Sequence, residues 1–140
     1  MILLDTNVLS ELMRPQPNPA VVAWVNAQSS GAHVSAITQA EISLGIALLP
    51  DGKRRDALAV AARQMFEEDL AARCLPFDSV AAEHFARLVA ERRRIGRPIT
   101  TQDAQIAAVA LANNMPLATR NTDDFKAIPG LALVDPWNDG

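Results

Sequence analysis

A chain of 140 residues, 49% hydrophobic and 21% charged, fits a single domain spanning 1–140 that buries a core without disulfide staples. Its one cysteine, Cys74, rules out an internal disulfide and suits a reducing cytoplasm, with the thiol read as a small buried hydrophobe. A net charge of -3 argues against holding nucleic acid through bulk charge, and neither a signal peptide nor a run of ~20 apolar residues for a membrane span is evident.

Ile2-Leu3-Leu4 reads as a short buried strand ending at Asp5. Thr6 to Met13 reads as a helix, stopped by the prolines at 15, 17 and 19. Asn18 is placed to cap a second helix with Pro19 at its first position, carrying Val21, Val22, Trp24 and Val25. A second strand is expected over His33 to Ile37, then a helix from about Gln39 to Leu49. One long helix is expected from Lys53 to Ala72, on the spacing of Leu58, Ala62, Met65, Phe66 and Leu70. Cys74 to Phe77 is a brief strand, and Asp78 caps a helix that ends near Gly96. Arg92, Arg93, Arg94 and Arg97 read as a solvated helix end favoured by the helix dipole, ahead of a phosphate fork. A helix over Thr101 to Asn114 and strands at Pro116 to Thr119 and Leu131 to Val134 complete the chain. Short apolar strands alternating with helices predict an α/β sandwich with a mainly parallel sheet.

The acids fall at particular places in this pattern. Asp5 follows the first strand, Glu41 lies in the first turn after the second, and Asp123 and Asp124 lie just past the fourth. In a parallel sheet these positions share one edge, where ligand sites gather. Asp103 opens a helix that follows another helix, so that rule does not place it. Thr38 to Glu41, Thr100 to Asp103 and Asn121 to Asp124 also have capping-box spacing, and each acid there has a purely structural reading. Capping does not account for Asp5. Several carboxylates on one edge would repel, raise one another's pKa and call for a cation. Oxygen donors suit Mg²⁺ or Mn²⁺, which would polarise a phosphoryl oxygen and acidify a water. No Cys/His set suggests zinc, neither His33 nor His84 has a motif partner, and no phosphate loop or nucleophile elbow is present.

Met1-Ile2-Leu3-Leu4-Asp5-Thr6-Asn7-Val8-Leu9, Ser35 to Ile42, Thr101 to Ala108 and Ala118 to Phe125, in this order, together resemble PIN-domain ribonucleases, most of all VapC/FitB-type toxins of bacterial toxin–antitoxin pairs. The resemblance implies a three-layer PIN-like sandwich with about five strands. It implies Mg²⁺- or Mn²⁺-dependent cleavage of RNA, with Asp5 and Asp103 as direct ligands and Glu41 binding through water or activating the nucleophile. It brings Asp103 to the shared edge. Thr6 and Asn7 match the polar pair after the first acid, and Thr119, Arg120 and Asn121 supply further supporting or substrate-contacting groups. Where many relatives carry an acid this chain has Asn121, with Asp124 the recurrent acid before Phe125, which puts a second metal in doubt. The implied partners are a homodimer mate and a small antitoxin, with operator DNA reached only through the antitoxin. Leu9, Leu12, Met13, Val22, Trp24 and Val25 are candidates for the antitoxin groove, and Trp137 packs on the domain or on a partner. A weakly catalytic regulator acting with its antitoxin is the second reading. A phosphoacceptor domain is disfavoured, because Thr6-Asn7 follows Asp5 and Thr119-Arg120 stands where a lysine is required.

Overall fold

The computed structural model describes residues 1–28 and 31–138. Five strands, β1 (Ile2–Leu4), β2 (Ala32–Ser35), β3 (Cys74–Leu75), β4 (Leu117–Ala118) and β5 (Leu133–Val134), form one sheet in the order β3-β2-β1-β4-β5. Every pairing is parallel, with Leu3 opposite His33 and Leu117, and Leu4 opposite Ala118. The helices are α1 (Thr6–Leu12), α2 (Pro19–Ala27), α3 (Ala36–Ala47), α4 (Lys53–Gln64), α5 (Ser79–Arg94), α6 (Thr101–Ala112) and α7 (Thr122–Phe125).

Strand alternation builds the layers. Leu3 and Leu117 face a core shared with α5 and α6, whereas Ile2, Leu4, Val34 and Ala118 face a second core with α1, α2 and α4. The α6 layer is mostly alanine, buried without a break from Ile106 to Ala110, and small side chains let this helix lie close to its neighbours. β1 sits in the middle of the sheet; the chain runs from it through β2 to β3 on one side and then crosses to β4 and β5 on the other. The β1–β4 boundary is therefore the switch point at which a crevice opens beyond the strand ends.

Several boundaries depart from expectation for physical reasons. β2 ends at Ser35 and α3 begins at Ala36, because the Ser35 hydroxyl accepts from Thr38 N–H at 3.1 Å and takes the capping role. The Thr38–Glu41 capping box is not formed, and Glu41 lies in the second turn of α3. Asp5, expected to lie outside any cap, is the N-cap of α1, with its carboxylate accepting from Thr6 N–H at 2.8 Å. The expected single helix from Lys53 to Ala72 changes at Met65 into a π-helical turn, Met65–Asp69, and ends before Ala72, which has φ 63°. That turn seats Leu70 in the core. Leu9 is fully buried, and Leu12, Met13, Trp24 and Val25 pack against the same core, so most of the apolar residues assigned to a groove serve the interior. Arg92 is buried rather than solvated: its guanidinium donates to the carbonyls of Arg97, Asp124 and Lys126, tying α7 to the end of α5. Cys74 is half-buried, and burial pushes its thiol pKa up. Among the described residues no helix is long and apolar enough to cross a membrane.

The cap reassignment is testable by denaturant unfolding. Ser35→Ala lowers the unfolding free energy by about 1–2 kcal/mol, because it removes the α3 cap and a partner of buried Thr38. Glu41→Gln does not lower it; a loss equal to that of Ser35→Ala would restore the Thr38–Glu41 box.

Candidate active site

The parallel sheet delivers polar residues from four strand ends to one edge. Ser35 closes β2, Asp5 follows β1, Thr119 follows β4, and Trp137 follows β5 through the Asp135-Pro136 turn. Asp103 arrives by a different route. Helix α6 leads directly into β4 through a tight turn at Asn113 to Pro116, with Asn114 at φ 54°. A helix that feeds a parallel strand from beneath runs antiparallel to it, so its first turn lies at the strand's carboxyl edge. This rule was available in the sequence and places Asp103 without any resemblance.

Asp5 is 5% exposed, and both of its oxygens are engaged. Oδ1 accepts from Thr6 N–H at 2.8 Å, and Oδ2 accepts from the Thr119 hydroxyl at 2.7 Å. The Thr119 hydroxyl in turn accepts from Asn121 N–H at 3.1 Å and from Asn7 Nδ2 at 3.3 Å, and Asn7 Oδ1 accepts from Arg120 N–H at 3.3 Å. Asn7 thus staples the start of α1 to the end of β4. Burial raises the Asp5 pKa to about 6; the Thr119 and Thr6 bonds pull it down, and the charges of Asp103 and Glu41 push it up. Burial also raises Asp103, against its Thr100 hydrogen bond and with the charges of Asp124 and Glu41.

A second hydroxyl chain fixes Glu41. The Thr6 hydroxyl donates to Glu41 Oε1 at 3.0 Å and lies 3.0 Å from the Thr38 hydroxyl, which the Ser35 hydroxyl approaches at 3.5 Å. A carboxylate only accepts, so the protons point along the chain from Ser35 through Thr38 and Thr6 to Glu41. Thr38 and Ser35 were read as cap and strand, and their place in this chain was missed. Their pairing across 32 residues with Thr6 carries no local sequence signal.

Asp5, Asp103, Thr6, Asn7 and Asn121 line a polar cleft of 480 Å³. Asp103 also borders a smaller cleft with Thr100, Asp123 and Asp124. Thr100 caps α6 through Asp103 N–H at 3.2 Å, as the spacing predicted. Asn121 makes no side-chain cap bond, so its expected box with Asp124 is absent, and it borders the Asp5 cleft while Asp124 stands on the far side of Asp103. His33 and His84 lie outside both clefts.

The donor set is oxygen alone and net negative, which fits a hard divalent cation. Among the described residues no three His, Cys, Asp or Glu side chains close on a common point.

Comparison with known proteins agrees with this fold. The PIN domain family matches residues 2–131. A plasmid stability protein, StbB, of Pseudomonas syringae is 45% identical over 98% of this chain and 99% of its own. A VapC ribonuclease of Sinorhizobium fredii is 43% identical, covering 98% of each. The crystal structure of FitAcB from Neisseria gonorrhoeae superposes with a TM-score of 0.91 at 42% identity, covering 99% of each chain.

The elevated Asp5 pKa sets a pH dependence. The fold favours the protonated carboxyl, so its contribution is fully present below about pH 4 and is lost as pH rises through about 6. At neutral pH without divalent cations, Asp5→Asn is therefore more stable than wild type by about 2–3 kcal/mol, and the difference vanishes near pH 4. Urea unfolding across pH checks this; an Asn variant that is less stable at neutral pH refutes it.

Proposed function

The chain belongs to the PIN-domain family, and from that premise and the geometry of its acidic cleft we propose that it is an endoribonuclease dependent on Mg²⁺ or Mn²⁺, the toxin of a type II toxin–antitoxin pair. The observation that carries the proposal is the pairing of Asp5 with Asp103 in one polar cleft at the switch point of a parallel sheet, with Glu41, which lines the adjoining groove, close enough for its charge to push the Asp5 pKa up. Asp5 and Asp103 are the residues that hold the cation, with Glu41 completing its surroundings. When bound, the ion supplies Lewis-acid polarisation of the phosphodiester and makes a neighbouring water more acidic. Thr119 and Thr6 keep the Asp5 carboxylate in one orientation, so the ligand is preorganised before substrate arrives. Glu41, aimed by the Thr6 hydroxyl, accepts the proton from the attacking water. Asn121 serves as a neutral neighbour of Asp5 and Asp103, and Asp124 tunes Asp103 through its charge.

Partners follow from the surroundings of the cleft. An apolar groove of 720 Å³ runs between α1, α3 and α4, lined by Met13, Ile42, Ile46, Leu49 and Leu58, and it meets the acidic cleft at Thr6, Ser10 and Arg14. Its mainly apolar lining suits the apolar face of an amphipathic segment of a small antitoxin. The groove lies one helix away from the expected set, sharing only Met13 with it. The reading includes a homodimer in the cytoplasm and contact with operator DNA only through the antitoxin, since a net charge of -3 does not suit a DNA-reading component. A second reading, a poorly catalytic partner in operator regulation, draws on the similar FitAB and VapBC structures that were solved with DNA.

RNA cleavage by the purified chain is expected in Mg²⁺, absent with chelator, and lowered at least about a hundredfold by Asp5→Asn or Asp103→Asn. Expression without the antitoxin should arrest growth in the wild type and not in these variants. Undiminished cleavage by both variants contradicts the site, and harmless expression favours the regulatory reading.

A further inference from the structure

The acidic cleft has a basic rim that the catalytic assignment leaves unused. Arg14 and Arg120 are the two cations among its lining residues, and each is held by its own anchor. The Arg14 side chain is 65% exposed, with Nη1 3.3 Å from Glu11 Oε1. Glu11 is buried, and its Oε2 accepts from Asn18 N–H at 3.0 Å. A fixed acid one turn before an exposed arginine makes a tether, and it keeps the guanidinium at the mouth of the cleft.

Arg120 is held by stacking. Its guanidinium carbon lies 5.0 Å from the centroid of the Trp137 ring, within cation–π range. Trp137 is half-buried: it packs against the α1–α2 core, and its backbone N–H donates to Asp135 Oδ1 at 2.9 Å. Adjacent parallel strands β4 and β5 end together and so bring Arg120 and Trp137 to the same edge. Arg14 also borders the groove toward α3, whereas Arg120 lies on the β4–β5 side.

A phosphodiester entering this cleft meets Asp5 and Asp103, with Glu41 close by and the Glu11 carboxylate, paired with Arg14, also on its wall, and like charges repel. One divalent ion offsets only part of that charge together with the substrate's own. We propose that Arg14 and Arg120 form the substrate grip. Each takes a backbone phosphate of single-stranded RNA, one on either side of the bond to be cut. Trp137 is a positioning residue: it is the shelf that holds the Arg120 guanidinium flat, so that a flanking base stacks on its outer face. This inference rests on the RNA-cleaving reading above and adds where the strand is held.

The test uses an Asp5→Asn parent in chelator, so that neither cleavage nor metal enters. Binding of a short fluorescein-labelled single-stranded RNA is followed by anisotropy across a salt series. Arg14→Gln and Arg120→Gln each weaken binding about tenfold and reduce the slope of log affinity against log salt by about 0.7. Trp137→Leu weakens binding as much as Arg120→Gln but keeps the slope, because the charge remains, and Trp137→Phe restores most of the affinity. If Trp137→Leu unfolds early, Trp137→Phe and the two arginine variants decide. RNA binding by the parent with affinity and slope unchanged in both arginine variants overturns the grip and leaves the ribonuclease reading standing. A parent that binds no RNA, with a wild type that cuts none, overturns both.

Discussion

A carboxylate at the end of the central strand, almost without water, is the constraint around which the rest of the site is arranged. Asp5 sits there because Ile2, Leu3 and Leu4 are buried on both faces of the sheet and the chain has not yet reached solvent when it arrives. Its charge is compensated by two short hydrogen bonds, from Thr6 N–H and the Thr119 hydroxyl, which offset only part of the burial cost. Asp103 and Glu41 then add repulsion where most folds would place a base.

The surrounding structure holds this strained group from two directions. On one side Thr119 is saturated by Asp5, Asn7 and Asn121, so the β4 end cannot drift from β1. On the other, the hydroxyls of Ser35, Thr38 and Thr6 run to Glu41 and connect the β2 end to α1 and α3. Threonine suits both places, because its hydroxyl donates to a carboxylate while its methyl packs in the core; Thr38 and Thr119 are fully buried. The alanine-rich α6 supplies the third wall and carries Asp103 on its first turn.

Much of this was legible in the sequence, and the exceptions have a common cause. Strand positions, the parallel sheet, the Thr100 cap and the gathering of Asp5 and Glu41 at one edge followed from local pattern and topology. The two capping assignments at Asp5 and Glu41 came out reversed. The sequence spacing Thr38-x-x-Glu41 is a valid box, yet β2 ends two residues earlier than its apolar pattern suggests, and Ser35 captures Thr38 N–H first. Strand ends are set by pairing with neighbours far away in the chain, which no local window contains. For the same reason the clamp of Arg92 on the Asp124 and Lys126 carbonyls and the Arg120–Trp137 stack carry no local sequence signal. Asp103 is different: α6 directly precedes β4 in the sequence, and that order alone carries its first turn to the strand's carboxyl edge.

The central claim is that Asp5 and Asp103 together make one site for a hard divalent cation. Calorimetric titration of the chain with Mn²⁺ at neutral pH addresses it without RNA or antitoxin. The wild type is expected to bind, and Asp5→Asn and Asp103→Asn each to bind at least about tenfold more weakly. Equal Mn²⁺ binding by all three proteins would contradict it.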